Sequence, residues 1–206
     1  MKTKLVIFDL DGVLINSLPN MIYSWNIVRK KFNIKNSFSE YYKFIGLDFF
    51  EILENLKIKK KYFIKIKKTY SESSIKEFNK IKLYPNVKKT LLKLSKQVNL
   101  AILTSKDSAR TKKILNKLLP EIKFKTVQSP IRSFRPKPFP DLMFKTISEN
   151  NVFLEEAIFV GDSKFDLEMA KKSKVKFVYA KYGYSNIKKK NINSISSISS
   201  IFKFII

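Results

Sequence analysis

The sequence predicts a doubly wound, open parallel α/β sheet with helices on both faces and an all-helical segment inserted after the first strand. Three observations predict it. Short apolar, β-branched runs recur through the second half of the chain, each followed by a segment of helical period. One such run stands alone near the start, cut off from the others by a long lysine-rich stretch with no convincing strand. Several of the runs stop at polar residues, chiefly aspartates, as strand ends at a ligand site do.

The elements follow in order. Lys4–Phe8 (KLVIF) reads as a buried strand, and Asp9–Ser17, with Gly12, as the loop after it. Met21–Lys31, Tyr41–Leu56 and Tyr62–Asn79 carry helical period, the second interrupted by Gly46. Pro85 precedes Asn86, which reads as the N-cap of a helix over Val87–Lys96. Val98–Leu103 is the next strand, and a helix over Asp107–Leu118 stops at Pro120. Ile122–Val127 reads as a strand and Arg135–Pro138 as a rigid loop. A helix over Pro140–Glu149 begins on its proline. Then come a strand at Ala157–Val160, a helix at Ser163–Lys172 and a strand at Val175–Ala180. The tail from Asn191, with its Ser-Ile pseudo-repeat, reads as an amphipathic segment docking on the core. Residues 1–16 and 84–206 therefore form the α/β core, and residues 17–83 the helical insert.

Composition excludes several classes. The 206 residues are 44% hydrophobic, with 18 Phe and 9 Tyr, so a real interior is available. No apolar run approaches the about 20 residues that span a bilayer. The first nine residues lack the small-residue cleavage site of a signal peptide. Without cysteine there is no disulfide framework, and the expected location is the cytoplasm. Without histidine or cysteine there is no Ser-His-Asp or Cys-His nucleophile, and no zinc site built on those ligands. The net charge of +25 invites a nucleic-acid reading. The lysines are spread along the chain, however, and Ile, Asn, Phe and Tyr are abundant beside them, as codon bias would give. Nucleic-acid binding is disfavoured, and steering of anionic substrates is a by-product. Monomer and homodimer both stay open.

The chemistry must come from the strand ends. The first gives Asp9 and Asp11, the second Thr104 and Ser105, and the Ala157 strand gives Asp162, with Asp166 one turn on. The loop before the Pro140 helix gives Lys137. Carboxylates gathered in a dry cleft repel one another, and a divalent cation resolves the repulsion. Magnesium suits hard oxygen ligands and keeps waters that a phosphate can displace. One carboxylate can then attack phosphorus, and a second, two positions on, can pass a proton to the leaving oxygen. Taken singly, Asp9 and Asp11 fit turn residues beside Gly12, and Asp162 and Thr104 fit helix caps. Their coincidence at successive strand ends argues for a site.

Asp9-Leu-Asp11-Gly12-Val13-Leu14, Leu103-Thr104-Ser105, Arg135-Pro-Lys137-Pro138 and Gly161-Asp162-Ser163-Lys164-Phe165-Asp166 stand in the order and rough spacing of the haloacid dehalogenase-like hydrolases. Over nearly its whole length the chain resembles that superfamily. Its insert resembles the C1-type cap of the phosphoglycolate phosphatase and β-phosphoglucomutase subgroup, with Phe44-Ile45-Gly46-Leu47 like the cap's substrate loop and Leu83–Val87 like its return. The resemblance implies a magnesium-dependent hydrolase of small phosphomonoesters, of phosphoglycolate or sugar-phosphate type, working through an aspartyl phosphate. It implies Asp9 as nucleophile and metal ligand, and Asp11 as general acid/base whose backbone carbonyl binds the metal. It implies Thr104 as a hydrogen-bond partner of the phosphoryl group, with a backbone amide from Ser105. Lys137 orients Asp9, and Asp162 binds the metal directly. Asp166 binds it through water or supports Lys137. Gly46 closes the site from the cap, or merely breaks a helix.

Asp11 separates phosphate transfer from dehalogenation, whose leaving group needs no proton. A β-phosphoglucomutase carries a cap-hinge histidine where this chain has Met21 or a neighbour, which disfavours mutase activity. Phosphonate hydrolysis would need a Schiff-base lysine, and no cap lysine stands out. A 5′-nucleotidase, a non-catalytic scaffold and a nucleic-acid-associated protein are the other readings.

Overall fold

In the computed structural model, residues 2–188 and 191–205 are described. The predicted core segment also takes in residues 1, 189–190 and 206, which lie outside the described residues. Six strands form one parallel sheet in the order β5-β4-β1-β6-β7-β8. They are β1 (Leu5–Phe8), β4 (Asn99–Leu103), β5 (Thr126–Gln128), β6 (Ala157–Gly161), β7 (Lys176–Ala180) and β8 (Ser194–Ile195). A two-stranded antiparallel ribbon, β2 (Ile15–Asn16) with β3 (Lys82–Leu83), stands apart.

β1 lies at the centre, paired with β4 and β6, and all four of its residues are buried. That is why it reads as a continuous apolar run rather than an alternating one. Successive side chains still go to opposite faces. Val6 and Phe8 join Leu100, Ile102, Ile158 and Val160 on one face, under α5 (Val87–Leu94) and α6 (Ser108–Leu118). Leu5 and Ile7 join Ala101, Leu103 and Phe159 on the other, under α7 (Asp141–Asn150) and α8 (Lys164–Ser173). The tail docks as predicted: Ile195, Ile198 and Ile201 enter the first of these clusters, and β8 extends the sheet.

Between β2 and β3 run α1 (Leu18–Phe32), α2 (Phe38–Tyr42), α3 (Phe49–Asn55) and α4 (Phe63–Lys76). They bury an interior of their own, with Trp25, Val28, Tyr41, Ile52, Leu53, Phe63, Ile66 and Tyr70. Ser37 with Glu40 and Asp48 with Glu51 form capping boxes that start α2 and α3. No described helix is long and apolar enough to cross a membrane.

The structure corrects several boundaries. The segment over Tyr41–Leu56 is interrupted at Gly46 as read, but its helices are α2 and α3, with residues 43–48 turning through Gly46 at a φ of +109°. The loop after β1 contains β2, a strand too short to show a period. Asn86 does not cap α5 through its side chain; it takes the left-handed conformation, φ 64°, which asparagine tolerates. Pro140 sits just before α7 rather than in its first turn. The strand expected at Ile122–Val127 begins at Thr126, because Ile122 closes a turn onto the Leu119 carbonyl.

Candidate active site

Asp9 follows β1 directly, and its backbone N–H bonds to the Val160 carbonyl of β6 at 2.9 Å, fixing it at the sheet's carboxyl edge. Gly12 then turns at a φ of +83°, where a Cβ would lie 2.2 Å from Asp162 Oδ2. Only glycine permits that approach.

Lys137 is the hub. Its side chain is 2% exposed, and Nζ donates to Asp9 Oδ1 at 3.0 Å and to Asp166 Oδ1 at 2.8 Å. Asp166 Oδ2 accepts from Ser163 N–H at 3.0 Å and from Ser163 Oγ at 2.6 Å, in the capping box that starts α8. Both Asp166 oxygens are therefore engaged, one on Lys137 and one on the helix cap. Asp162, at the end of β6, accepts from the Tyr184 N–H at 2.6 Å.

The electrostatics follow from burial. Desolvation pushes the Asp9 carboxyl up to about 7; Lys137 opposes the rise, and Asp166 and Asp11 add to it. Burial also raises Asp162 well above the usual carboxylate range, reinforced by Asp166 and Asp9. For Lys137, burial alone would lower the pKa, but Asp166 and Asp9 outweigh it and hold the ammonium charged. Asp9, Asp162 and Asp166 each offer an oxygen within 4.8 Å of the others. Three carboxylates against one ammonium leave excess negative charge, and every donor is a hard oxygen. That donor set fits a divalent, oxygen-preferring cation.

Thr104, at the end of β4, is buried, and its Oγ1 accepts from Lys106 N–H at 3.2 Å. Ser105 Oγ donates to the Gly46 carbonyl at 2.7 Å, joining core to insert. A Cβ on Gly46 would lie 2.8 Å from Ser163 Oγ, so the glycine lets the insert's loop rest on the β6–α8 turn. Asp9, Asp11, Gly46, Thr104, Ser105 and Asp162 all line one cleft of about 50 Å³ between sheet edge and insert. Lys137 and Asp166 stand behind it.

Sequence reasoning missed four residues here. Lys106, almost fully buried, pairs with Asp11 Oδ2 at 3.1 Å. Desolvation lowers its pKa, against the pull of Asp11. Arg110 lines the cleft from α6 with Nε on Asp107, its guanidinium carbon 5.2 Å from the Tyr70 ring centre. Ser17 donates its hydroxyl to Asp11 Oδ1, and Tyr184 bonds to Ser17. Nothing in the local sequence pattern marks any of them.

Fold and site together define a parallel α/β sheet that gathers buried carboxylates beside a cleft at its carboxyl edge. Residues 6–180 match the family model of haloacid dehalogenase-like hydrolases, and the chain belongs to that family. It is 30% identical over 190 residues to a phosphoglycolate phosphatase of Aquifex aeolicus (strain VF5), covering 88% of this chain and 86% of the relative. A solved structure from Haemophilus somnus 129pt, predicted to be a phosphoglycolate phosphatase, superposes with a TM-score of 0.88 at 26% identity, over 99% of this chain and 98% of that one. A Thermotoga maritima structure with the provisional name β-phosphoglucomutase gives 0.74 at 23% identity, over 99% of this chain and 100% of that one.

Proposed function

We propose that the protein hydrolyses small phosphomonoesters, of phosphoglycolate or sugar-phosphate type, through an aspartyl phosphate on Asp9. The observation that carries this reading is the placement of Asp9: on the cleft, held by Lys137 at 3.0 Å, with Asp11, Thr104 and Asp162 on the same cleft wall. In this reading residues 17–83 are a C1-type cap over a core of residues 1–16 and 84–206, and the enzyme is cytoplasmic.

Asp9 attacks phosphorus as the ester P–O bond breaks, and Asp11 gives its proton to the leaving oxygen. Water then attacks the phosphorus, Asp11 takes its proton, and the bond to Asp9 breaks. Lys137 opposes the rise that burial imposes on the Asp9 carboxyl and aims it. Thr104, with the Ser105 amide, faces the phosphoryl oxygens. Arg110 and the Tyr41 and Tyr70 side chains, also on the cleft, face the rest of the substrate. Magnesium, held by Asp9, Asp162 and the Asp11 carbonyl, with Asp166 behind, would supply charge neutralisation for the phosphoryl group.

One observation weighs against a rival reading. Met21 lines the cleft near the hinge and offers no proton to a sugar hydroxyl, which disfavours a mutase. The test is phosphate release from a panel of phosphomonoesters, with magnesium and with excess chelator, on wild type and Asp9→Asn. Metal-dependent release that falls at least about 10⁴-fold in the variant is expected. Substantial residual turnover in Asp9→Asn would sink the mechanism.

A further inference from the structure

Ser17 occupies the position before α1 where a serine hydroxyl ordinarily accepts an N–H of the first turn. It makes no such bond. Its hydroxyl donates instead to Asp11 Oδ1, while its backbone N–H donates to the Tyr184 phenol oxygen at 2.7 Å. The two hydroxyl oxygens are 3.1 Å apart, and the phenol oxygen also lies 3.3 Å from the Ile15 carbonyl. Ser17 is fully buried and Tyr184 nearly so, and neither lines the cleft.

A proton count orders these bonds. Ser17 has one hydroxyl proton, spent on Asp11, so toward Tyr184 it can only accept. The phenol accepts from the Ser17 N–H and has its own proton left for Ser17 Oγ or the Ile15 carbonyl. The phenol thus fixes the serine, and the serine fixes one oxygen of Asp11. Lys106 holds the other at 3.1 Å. The backbone of Tyr184 is engaged as well. Its N–H donates to Asp162, and its carbonyl accepts from the Tyr42 hydroxyl of α2 in the insert. One residue of the loop after β7 therefore touches the partner of the acid, a carboxylate of the buried cluster and the insert.

We propose that Tyr184 is a positioning residue for Asp11, acting through Ser17, so that proton delivery to the leaving group depends on this loop. The proposal rests on the assignment of Asp11 as general acid. A side chain that merely filled space would slow all substrates alike. A residue that aims the acid slows only those whose leaving group needs the proton.

Tyr184→Phe keeps the ring and both backbone bonds and removes only the hydroxyl. The measurement is kcat on an alkyl phosphomonoester and on p-nitrophenyl phosphate, with a thermal melt of each variant. The expected result is a loss of about tenfold or more on the alkyl ester, about twofold or less on the activated one, and a melting point near wild type. Ser17→Ala should reproduce the split, and the double variant should be no slower than the worse single, because both act on one path. Equal losses on the two esters, or additive losses in the double variant, overturn the proposal alone. If Tyr184→Phe melts far below wild type, Ser17→Ala carries the same comparison. A wild type that hydrolyses neither ester overturns the phosphatase reading and this proposal with it. An Asp11→Asn variant without the split overturns the acid assignment.

Discussion

At the carboxyl edge of the sheet, one buried lysine answers two carboxylates, and a serine serves as helix cap and carboxylate partner together. In the insert, the interior is apolar, aliphatic side chains packed among ring-on-ring contacts: Trp25 on Tyr41 at 4.7 Å, Phe49 on Tyr70 at 4.8 Å and Phe50 on Phe63 at 5.7 Å. The edge depends on polar atoms with few partners each, so almost no substitution is neutral. The insert depends on volume and apolar character, which many sequences supply. A site of the first kind is written in residue identities, and a helical layer of the second kind mostly in hydrophobic pattern.

The largest expected effect tests the edge. Lys137→Met leaves Asp9 and Asp166 buried without their cation. We expect a loss of about 3–5 kcal/mol in denaturant unfolding. Turnover should fall by at least about 10²–10³-fold. Stability equal to wild type would mean that the carboxylates do not depend on this lysine. Trp25→Ala tests the insert and should cost about 3–5 kcal/mol as a cavity. Its effect should be local: amide exchange speeds up in α1–α4, while β1, β4 and β6 keep their protection. Uniform acceleration would show that insert and sheet unfold as one.

Metal removal should come next. The folded Asp9 carboxyl titrates at about 7 against an ordinary 3.8, so the folded, metal-free state holds a proton that the unfolded chain releases. Its contribution to stability is therefore largest below 3.8 and falls as pH rises to about 7. In chelator, melting should drop between about pH 4 and about pH 7, and magnesium should remove most of that drop. A metal-independent slope would speak against cation binding at the cluster. The smallest effect is at the seam of the two regions: Arg110→Met should lower kcat/KM about tenfold on an ester with an anionic far end and little on p-nitrophenyl phosphate. Equal change on both would make Arg110 a packing residue.

The legible part of the site follows from chain order. In a parallel sheet a strand, its terminal polar residue and the next helix are consecutive, so Asp9, Thr104 and Asp162 each carry their structural context with them in sequence. Folding brings them to one cleft, as the strand reading required. The core strands and the docking tail were legible for the same reason. Lys106 was not, because one lysine among 42 basic residues carries no signal until its burial is known. Ser17 and Tyr184 lie 167 positions apart, and no local pattern links them. Ser17 also looks like an ordinary helix cap and is not one. The two-residue strands β2 and β3 were missed because a period cannot show in two residues.

That small ribbon has a consequence for descent and for engineering. Ile15 pairs with Leu83 and Asn16 with Lys82, so the chain leaves the sheet and returns to it at adjacent points, side by side. The wiring of the six strands is indifferent to what is threaded between those two pairs. A foreign segment spliced at the same two pairs would leave the six-stranded sheet uncut, so the insert can be exchanged as a transplant without redrawing the scaffold that holds the aspartates.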